Sequence, residues 1–363
     1  MTNIVILGGS ITGISTAHRI LKGAPKAGLS VKVTLVTPNT HFFWNIASPR
    51  GIIAGQYTDD KCFLPIETGF KQYNASQFEF VLGLAEAVDF DAHSVRISNG
   101  RTINSLATGA SATANLPFKN LGTTEATKDA LHILQGRVQK AKTVVIGGSG
   151  ATGVEVAGEI AFEYKNQKKV TLISSGPIIL EQTIPKVSQT AAKILKSLDV
   201  NIKYNSKVTS TTETADGGQE LTLSNGEKFT ADLYIPTFGL IPNTSYLNDR
   251  YLNSKGFVIV NDYLKVKGVD DVWAIGDVSD HERPQFMFAD SQSAHLVKNL
   301  LLVLQRRKPL LHKVASPAMG LQIGRKKGTG HMGNFKLPGF LVSLLRKDLF
   351  LEIMPGIVDG SKF

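Results

Sequence analysis

Near its start the chain carries an apolar run, Asn3 to Leu7 (NIVIL), with too little alternation for a strand that has one wet face. The run breaks at Gly8-Gly9-Ser10-Ile11-Thr12-Gly13 and resumes with helical spacing from about Ile14 to Lys22. The same succession returns later. Thr143 to Ile146 is apolar, Gly148-Ser149-Gly150-Ala151-Thr152-Gly153 breaks it, and a helical pattern runs to about Tyr164. A second apolar strand follows each helix, VKVTLVT ending at Thr37 and KKVTLISS ending at Ser174 and Ser175. Strand, turn, helix and strand, used twice, predict an α/β fold with two Rossmann-like dinucleotide-binding domains.

Between and after these units the periodicity changes. FEFVLGLAEAVDFDAHSVRIS alternates as short strands do, and so does the stretch around VNIKYNSKVTSTTETADGGQELTLSNGEKFTADLYI, with a hairpin tip near Gly217. Each domain is therefore expected to carry a β-meander. TTEATKDALHILQGRVQKA has a Thr/Glu start signal and apolar positions at Ala130, Leu131, Leu134 and Val138, which predict a helix. GVDDVWAIGDVSD reads as a strand ending in Gly276-Asp277. In LPGFLVSLLRKDLF, Leu337, Phe340, Leu341, Leu344 and Leu345 form one apolar stripe at helical spacing. Such a stripe either packs on its own domain or lies on an anionic membrane with Arg346 and Lys347 at the headgroups.

The glycine turns carry the first chemical signal. In a dinucleotide fold, the first glycine makes the tight turn and the second lets backbone amides approach a pyrophosphate. The third lets helix pack closely on strand, and the helix N-terminus supplies partial positive charge. The second copy fits the full spacing with Gly148, Gly150 and Gly153, whereas in the first copy Ser10 replaces the middle glycine between Gly8, Gly9 and Gly13. Two turns imply two nucleotides, and a chain holding two dinucleotides most simply passes a hydride from a visiting nicotinamide to a resident flavin. Gly276-Asp277 fits the returning strand whose Asp holds the ribityl chain of FAD. LATGA (Thr108, Gly109) and PTFGLIPNT (Thr237, Gly239, Pro242, Asn243) mark crossings between the domains. The second strand tip has no acidic residue and Lys168 and Lys169 lie near in sequence, so NADPH is expected to be tolerated or even favoured. Glu155 either orients the nicotinamide side or serves the helix dipole. No side chain is assigned a catalytic role, because the cofactors carry the chemistry.

Composition removes other classes. The 363 residues contain one cysteine, Cys62, so there is no disulfide scaffold and no dithiol. Eight scattered histidines show no ligand spacing, and no metal is expected. No secretory leader is read, and the apolar run around Leu300 to Leu304 is too short to span a bilayer. A reducing, aqueous compartment is expected. The formal charge is +10, and from Leu296 onward twelve Lys/Arg face only Asp348, Glu352 and Asp359. This concentration is either a solvated face or a surface for phosphates. Without aromatics interleaved on a basic strand, nucleic acid is the weakest of the partners considered.

With HFFWNIASPR, GTGHMGNF and RKDLF added to these motifs, the chain resembles the apoptosis-inducing-factor-like flavoproteins, in particular the ferroptosis suppressor branch, relatives of type II NADH dehydrogenases. The resemblance covers nearly the whole chain. It implies an FAD enzyme that takes hydride from NADH or NADPH and reduces a quinone. It also implies that Arg50 contacts FAD and that the Ala85 backbone meets the adenine end, with Gly276 and Asp277 at the isoalloxazine and ribityl side. The implied division is an FAD domain at 1–110 and 241–311, an NAD(P)H domain at 111–240 and a C-terminal basic, amphipathic extension at 312–363. A cytoplasmic location is expected with it, peripheral on a lipid droplet or the mitochondrial outer membrane. SNGRTINSLATGA departs from the family by being about four residues short before Thr108, where a full strand is expected. A low-turnover NAD(P)H-binding sensor acting through a partner interface is the alternative function.

Overall fold

The computed structural model describes residues 1–103, 110–112 and 116–363. A parallel sheet forms first, from β1 (Thr2–Leu7), β2 (Val31–Thr37) and β3 (Phe78–Leu82), in the order β1-β2-β3. Helix α1 (Ile11–Lys26) links its first two strands and buries Ile14, Ala17, His18, Leu21 and Ala24, one face at helical spacing. A meander follows, with β4 (Ala85–Asp89) paired antiparallel to β5 (Ser94–Ile97).

Helix α2 (Thr124–Lys140) leads into the second unit. Its N-cap Thr123 accepts a hydrogen bond from the Ala126 amide, satisfying one of the free donors of the first turn. Then come β6 (Thr143–Gly147), α3 (Ala151–Glu163), β7 (Lys169–Ile173), α4 (Pro185–Ser197) and β8 (Asn201–Lys203). The antiparallel meander β9 (Val208–Glu213), β10 (Gln219–Leu223) and β11 (Lys228–Ala231) has Gly217 at a hairpin tip with φ +82°. Strand β12 (Leu233–Pro236) completes a parallel sheet in the order β8-β7-β6-β12. Just beyond it, Leu240–Pro242 runs antiparallel to Ala110–Ala112, so the outgoing and returning chain segments lie side by side.

The segment before Gly276, which reads from sequence as a strand, is not a regular one. Val272 and Ala274 bury with Val5, Leu7 and Val95, between the first sheet and its meander, while Trp273 and Ile275 enter the main core. The backbone is bridged only at single points, Lys265 to Trp273 and Val258 to Ser279. The side-chain alternation is thus satisfied by two cores rather than by a ladder.

Helix α5 (Phe286–Leu304) returns along α1, tied to it by Thr16 Oγ1 to Ser293 Oγ at 2.9 Å and by the Arg19–Asp290 ion pair at 2.9 Å. The last part of the chain builds an antiparallel sheet of β13 (Ala318–Ile323), β14 (Lys327–Met332) and β15 (Phe335–Leu337), followed by α6 (Gly339–Leu345) and α7 (Met354–Val358). The apolar stripe of α6 faces outward: Phe340 is 78% exposed, Leu344 68% and Leu345 54%. Val342, off the stripe, is the residue that packs, and a Cβ built on Gly328 would stand 3.1 Å from its Cγ1. No helix among the described residues is long and apolar enough to cross a membrane.

Candidate nucleotide sites and their buried junction

The two glycine turns repeat one backbone device. Gly8 (φ +116°) and Gly148 (φ +100°) leave β1 and β6 in a conformation open to glycine, and their amides donate to Val36 and Ile173 on the neighbouring strands. A Cβ on Gly13 would stand 1.8 Å from the Gly8 carbonyl oxygen, and one on Gly153 would stand 1.9 Å from that of Gly148. Only glycine lets each helix start so close to its strand. The middle positions share an extended geometry, with φ −92° at Ser10 and −72° at Gly150, so a serine is accommodated without strain. A Cβ on Gly150 would meet nothing within 4 Å. No protein neighbour demands that glycine, which leaves close approach from outside as its reason.

These turns fit dinucleotides. Neither α1 nor α3 carries an acidic residue in its first turn, so the positive helix ends are left for an anion. A hollow at the first turn is lined by Gly8, Ser10, Thr12, Gly13, Thr16 and Ile275. Gly276 closes it: at φ +76° it sits against Thr12, and a Cβ there would fall 2.7 Å from Thr12 Oγ1. Its amide donates to Gln292 Oε1 at 2.6 Å, Gln292 Nε2 donates to Glu282 Oε2 at 2.6 Å, and the same oxygen lies 2.9 Å from His312 Nε2. Asp277, next along the turn, pairs with Lys119. Ala85 begins β4 opposite Ile97, just past the C-terminal end of β3. Thr108 and Gly109 lie outside the described residues. The crossing residue Thr237 donates from Oγ1 to the carbonyls of Gly147 and Gly148, at 2.9 and 3.1 Å, and so braces the second turn.

Arg50 and Glu155 belong to one buried junction, where the Ser48–Gly51 turn, α3, β13 and residues 346–347 come together. Arg50 is held in the helical turn Ser48–Gly51, 4% exposed, and every N–H of its guanidinium has a protein acceptor. Nε and Nη2 reach Glu159 Oε1 at 3.1 and 2.8 Å, Nη2 also reaches Gln322 Oε1, and Nη1 reaches Tyr57 Oη and the Lys347 carbonyl. It therefore has no free donor for a flavin, and only its stem or flat face is left for one. Glu155 lies beyond the first turn of α3, so service to the helix dipole is not its role. Its Oε1 accepts from Arg346 Nη2 at 2.9 Å and from the Gln322 amide at 3.4 Å. Burial pushes the Glu155 carboxyl above its ordinary value, and the Arg346 charge opposes this.

Lys119, Glu159, Gln322 and the Gln292–Glu282–His312 chain were not singled out from sequence, and Arg346, expected at membrane headgroups, instead turns inward to Glu155 and the Gly320 carbonyl. One signal was present: Glu155 and Glu159 lie one turn apart in the apolar middle of a helix, which calls for buried cations on that face. Lys168, counted toward NADPH, sits at the wrong end of β7 and donates to the carbonyls of Gln139 and Ala141. Trp44 and the Phe residues of HFFWNIASPR are core, with Trp44 Nε1 donating to the Leu349 carbonyl of RKDLF at 2.8 Å. Among the described residues no group of three or more His, Cys, Asp and Glu could hold a metal ion.

A sequence profile described as pyridine nucleotide-disulphide oxidoreductase matches residues 2–295. Oxidoreductase ptaL of Pestalotiopsis fici is 50% identical over 99% of this chain and 100% of its own. Human ferroptosis suppressor protein 1 is 26% identical over 96% of this chain and 94% of its own. In fold, the sulfide:quinone oxidoreductase of Aquifex aeolicus superposes with a TM-score of 0.82 at 17% identity, covering 99% of this chain and 92% of that one.

Proposed function

Because the chain belongs to the pyridine nucleotide-disulphide oxidoreductase family, we propose that it passes hydride from NAD(P)H through FAD to a quinone that meets the flavin directly. The carrying observation for the acceptor is Cys62. It is the one cysteine of the chain, it is 2% exposed, and burial pushes its thiol up to about 12. A relay through a dithiol of this chain is therefore closed, which supports transfer from the flavin directly to a diffusing acceptor. A fold neighbour named for a quinone and relatives named ferroptosis suppressor protein 1 support this choice.

Residues of this chain would bind and orient. The α1 start with Gly8, Gly9, Ser10 and Gly13 would hold the FAD pyrophosphate, and Asp277 the ribityl hydroxyls, with Gly276 fixed by Gln292. The α3 start with Gly148, Gly150 and Gly153 would hold the nicotinamide nucleotide. FAD, when bound, supplies two-electron chemistry that no side chain here offers. On this basis residues 1–110 and 241–311 would serve FAD, 111–240 NAD(P)H, and 312–363 the acceptor side. The outward stripe of α6, flanked by exposed Lys336 and Lys347, would rest on an anionic bilayer, where a lipid-soluble quinone is met.

The test is anaerobic and visible. The purified protein reconstituted with FAD should show a flavin absorption band that NADH or NADPH bleaches and a soluble quinone restores. A band untouched by either nucleotide would defeat the proposal. Sedimentation with phosphatidylserine vesicles should fall in a Phe340→Asp, Leu344→Asp variant; equal sedimentation of variant and parent would defeat the membrane part.

A further inference from the structure

From the loop that follows β7 we infer that Glu181 makes the second nucleotide site select NADH over NADPH; this rests on a nicotinamide nucleotide occupying the turn at Gly148 to Gly153. In such a fold the end of the second strand reaches the adenosine ribose, where an acid accepts from the 2′-hydroxyl and a cation receives a 2′-phosphate. Here the strand tip offers neither. Ser174 is fully buried, its hydroxyl oxygen accepts from Ser149 Oγ at 2.8 Å, and its own proton is directed at the carbonyls of Gly176 and Ile178.

The missing acid comes from further along the chain. Beyond Pro177 the loop folds back on the glycine turn, and the Leu180 amide donates to the Ser149 carbonyl at 2.9 Å. Leu180 takes a left-handed φ of +53°, and Thr183 closes the bend by donating from both its amide and its hydroxyl to the Leu180 carbonyl. Glu181 therefore stands one residue from a direct bond to the turn. Its carboxylate lies over Gly176, so close that a Cβ on Gly176 would be 1.5 Å from Oε1. Glycine at 176 makes room for that carboxylate, two residues beyond the buried strand-tip serine.

The nearby cations lie on neighbouring elements, and among them Lys203 is neutralised by an ion pair while Arg283 keeps its charge. Lys203, whose carbonyl receives the Ser174 amide, pairs with Glu227. Arg283 donates to the carbonyl and side chain of Gln182. Lys207 is exposed on the segment that leads into β9. Lys168 is at the opposite end of β7. The fixed charge closest to the strand tip in this loop is negative. It would accept from a ribose diol and repel a 2′-phosphate, the reverse of what the serine tip and the lysines suggested from sequence.

The experiment measures equilibrium binding to the FAD-loaded protein by calorimetry, with NAD⁺, NADP⁺, AMP and adenosine 2′,5′-bisphosphate. The wild type should bind NAD⁺ about tenfold or more tighter than NADP⁺, and AMP tighter than the bisphosphate by a similar factor, with the gap narrowing as salt rises. Glu181→Gln should close most of that gap by improving the 2′-phosphorylated ligands, and Glu181→Arg should invert it. Glu181 is exposed, so neither change threatens the fold. A wild type that prefers NADP⁺, or a Glu181→Gln protein with an unchanged ratio, would overturn the inference. A flavin-loaded wild type that binds no nicotinamide nucleotide would instead overturn the function on which it rests.

Discussion

Lowering the pH from near 7 to near 5 should weaken the fold, with one imidazole, His18, carrying a separable share. His18 is fully buried in α1, stacked on Phe70 with ring centroids 4.0 Å apart and planes 5° apart. Nε2 lies 2.8 Å from the Val358 carbonyl and Nδ1 3.2 Å from Tyr73 Oη. A neutral ring satisfies both contacts, donating to the carbonyl and accepting from the phenol. Burial lowers its pKa from 6.5 to about 4, with the Val358 carbonyl pulling the other way and Lys22 adding to the fall. Between those values the unfolded chain holds the proton and the folded chain does not, so stability rises with pH across the window. The contribution is complete above the unfolded value and is lost as the pH falls toward the folded one. At about 1.4 kcal/mol per pH unit, the loss is roughly 3 kcal/mol over the whole window and roughly 2 kcal/mol by pH 5. That is a large part of a typical total of about 5–15 kcal/mol. Urea unfolding free energies, followed by tryptophan fluorescence, would be compared for the wild type and His18→Leu across this range. The variant loses its bond to Val358 and should be weaker near pH 7, but its slope with pH should be shallower. His41 and His295 are also lowered by burial and Glu155 is raised, so the difference between the two proteins isolates His18. Parallel pH profiles would refute the reasoning.

Gly153→Ala should leave the flavin band intact while abolishing binding of NADH and NADPH, whereas Gly13→Ala should prevent FAD uptake; absorbance and calorimetry separate the two. Arg50→Met should cost about 3–5 kcal/mol in unfolding experiments because it strands Glu159, and adding Glu159→Leu should return most of it. Gln292→Leu leaves the Gly276 amide without its acceptor, a loss of about 1–3 kcal/mol, and should speed FAD release measured by flavin fluorescence.

Both glycine turns were legible because their signal is local. A strand, a helix and the glycines between them are set by neighbours in sequence, and Ser10 fits since its position needs closeness rather than a positive φ. What depends on distant partners was read less well. The spacing of Phe340, Leu344 and Leu345 disclosed a stripe but not its direction, because Val342 found Gly328 on the adjacent sheet. The strand read before Gly276 is not regular, because its side chains are divided between two cores instead of being held in a ladder. Lys168 was close in sequence to the strand tip but lies at the strand's other end. Glu181 was invisible for the converse reason: it reaches the tip through a loop whose fold depends on the Ser149 carbonyl.

The junction of Glu155, Glu159, Arg50 and Arg346 also bears on how the chain is made. Arg346 lies 191 residues after Glu155, and Gln322 lies 272 after Arg50. At about 5–20 residues per second, a ribosome needs about 10–40 s to deliver Arg346 once Glu155 has been added. During that time the nucleotide-binding units can take shape, but a carboxylate meant for the interior waits without its cation. The junction therefore stays incomplete until Gln322 and Arg346 have been added to the growing chain.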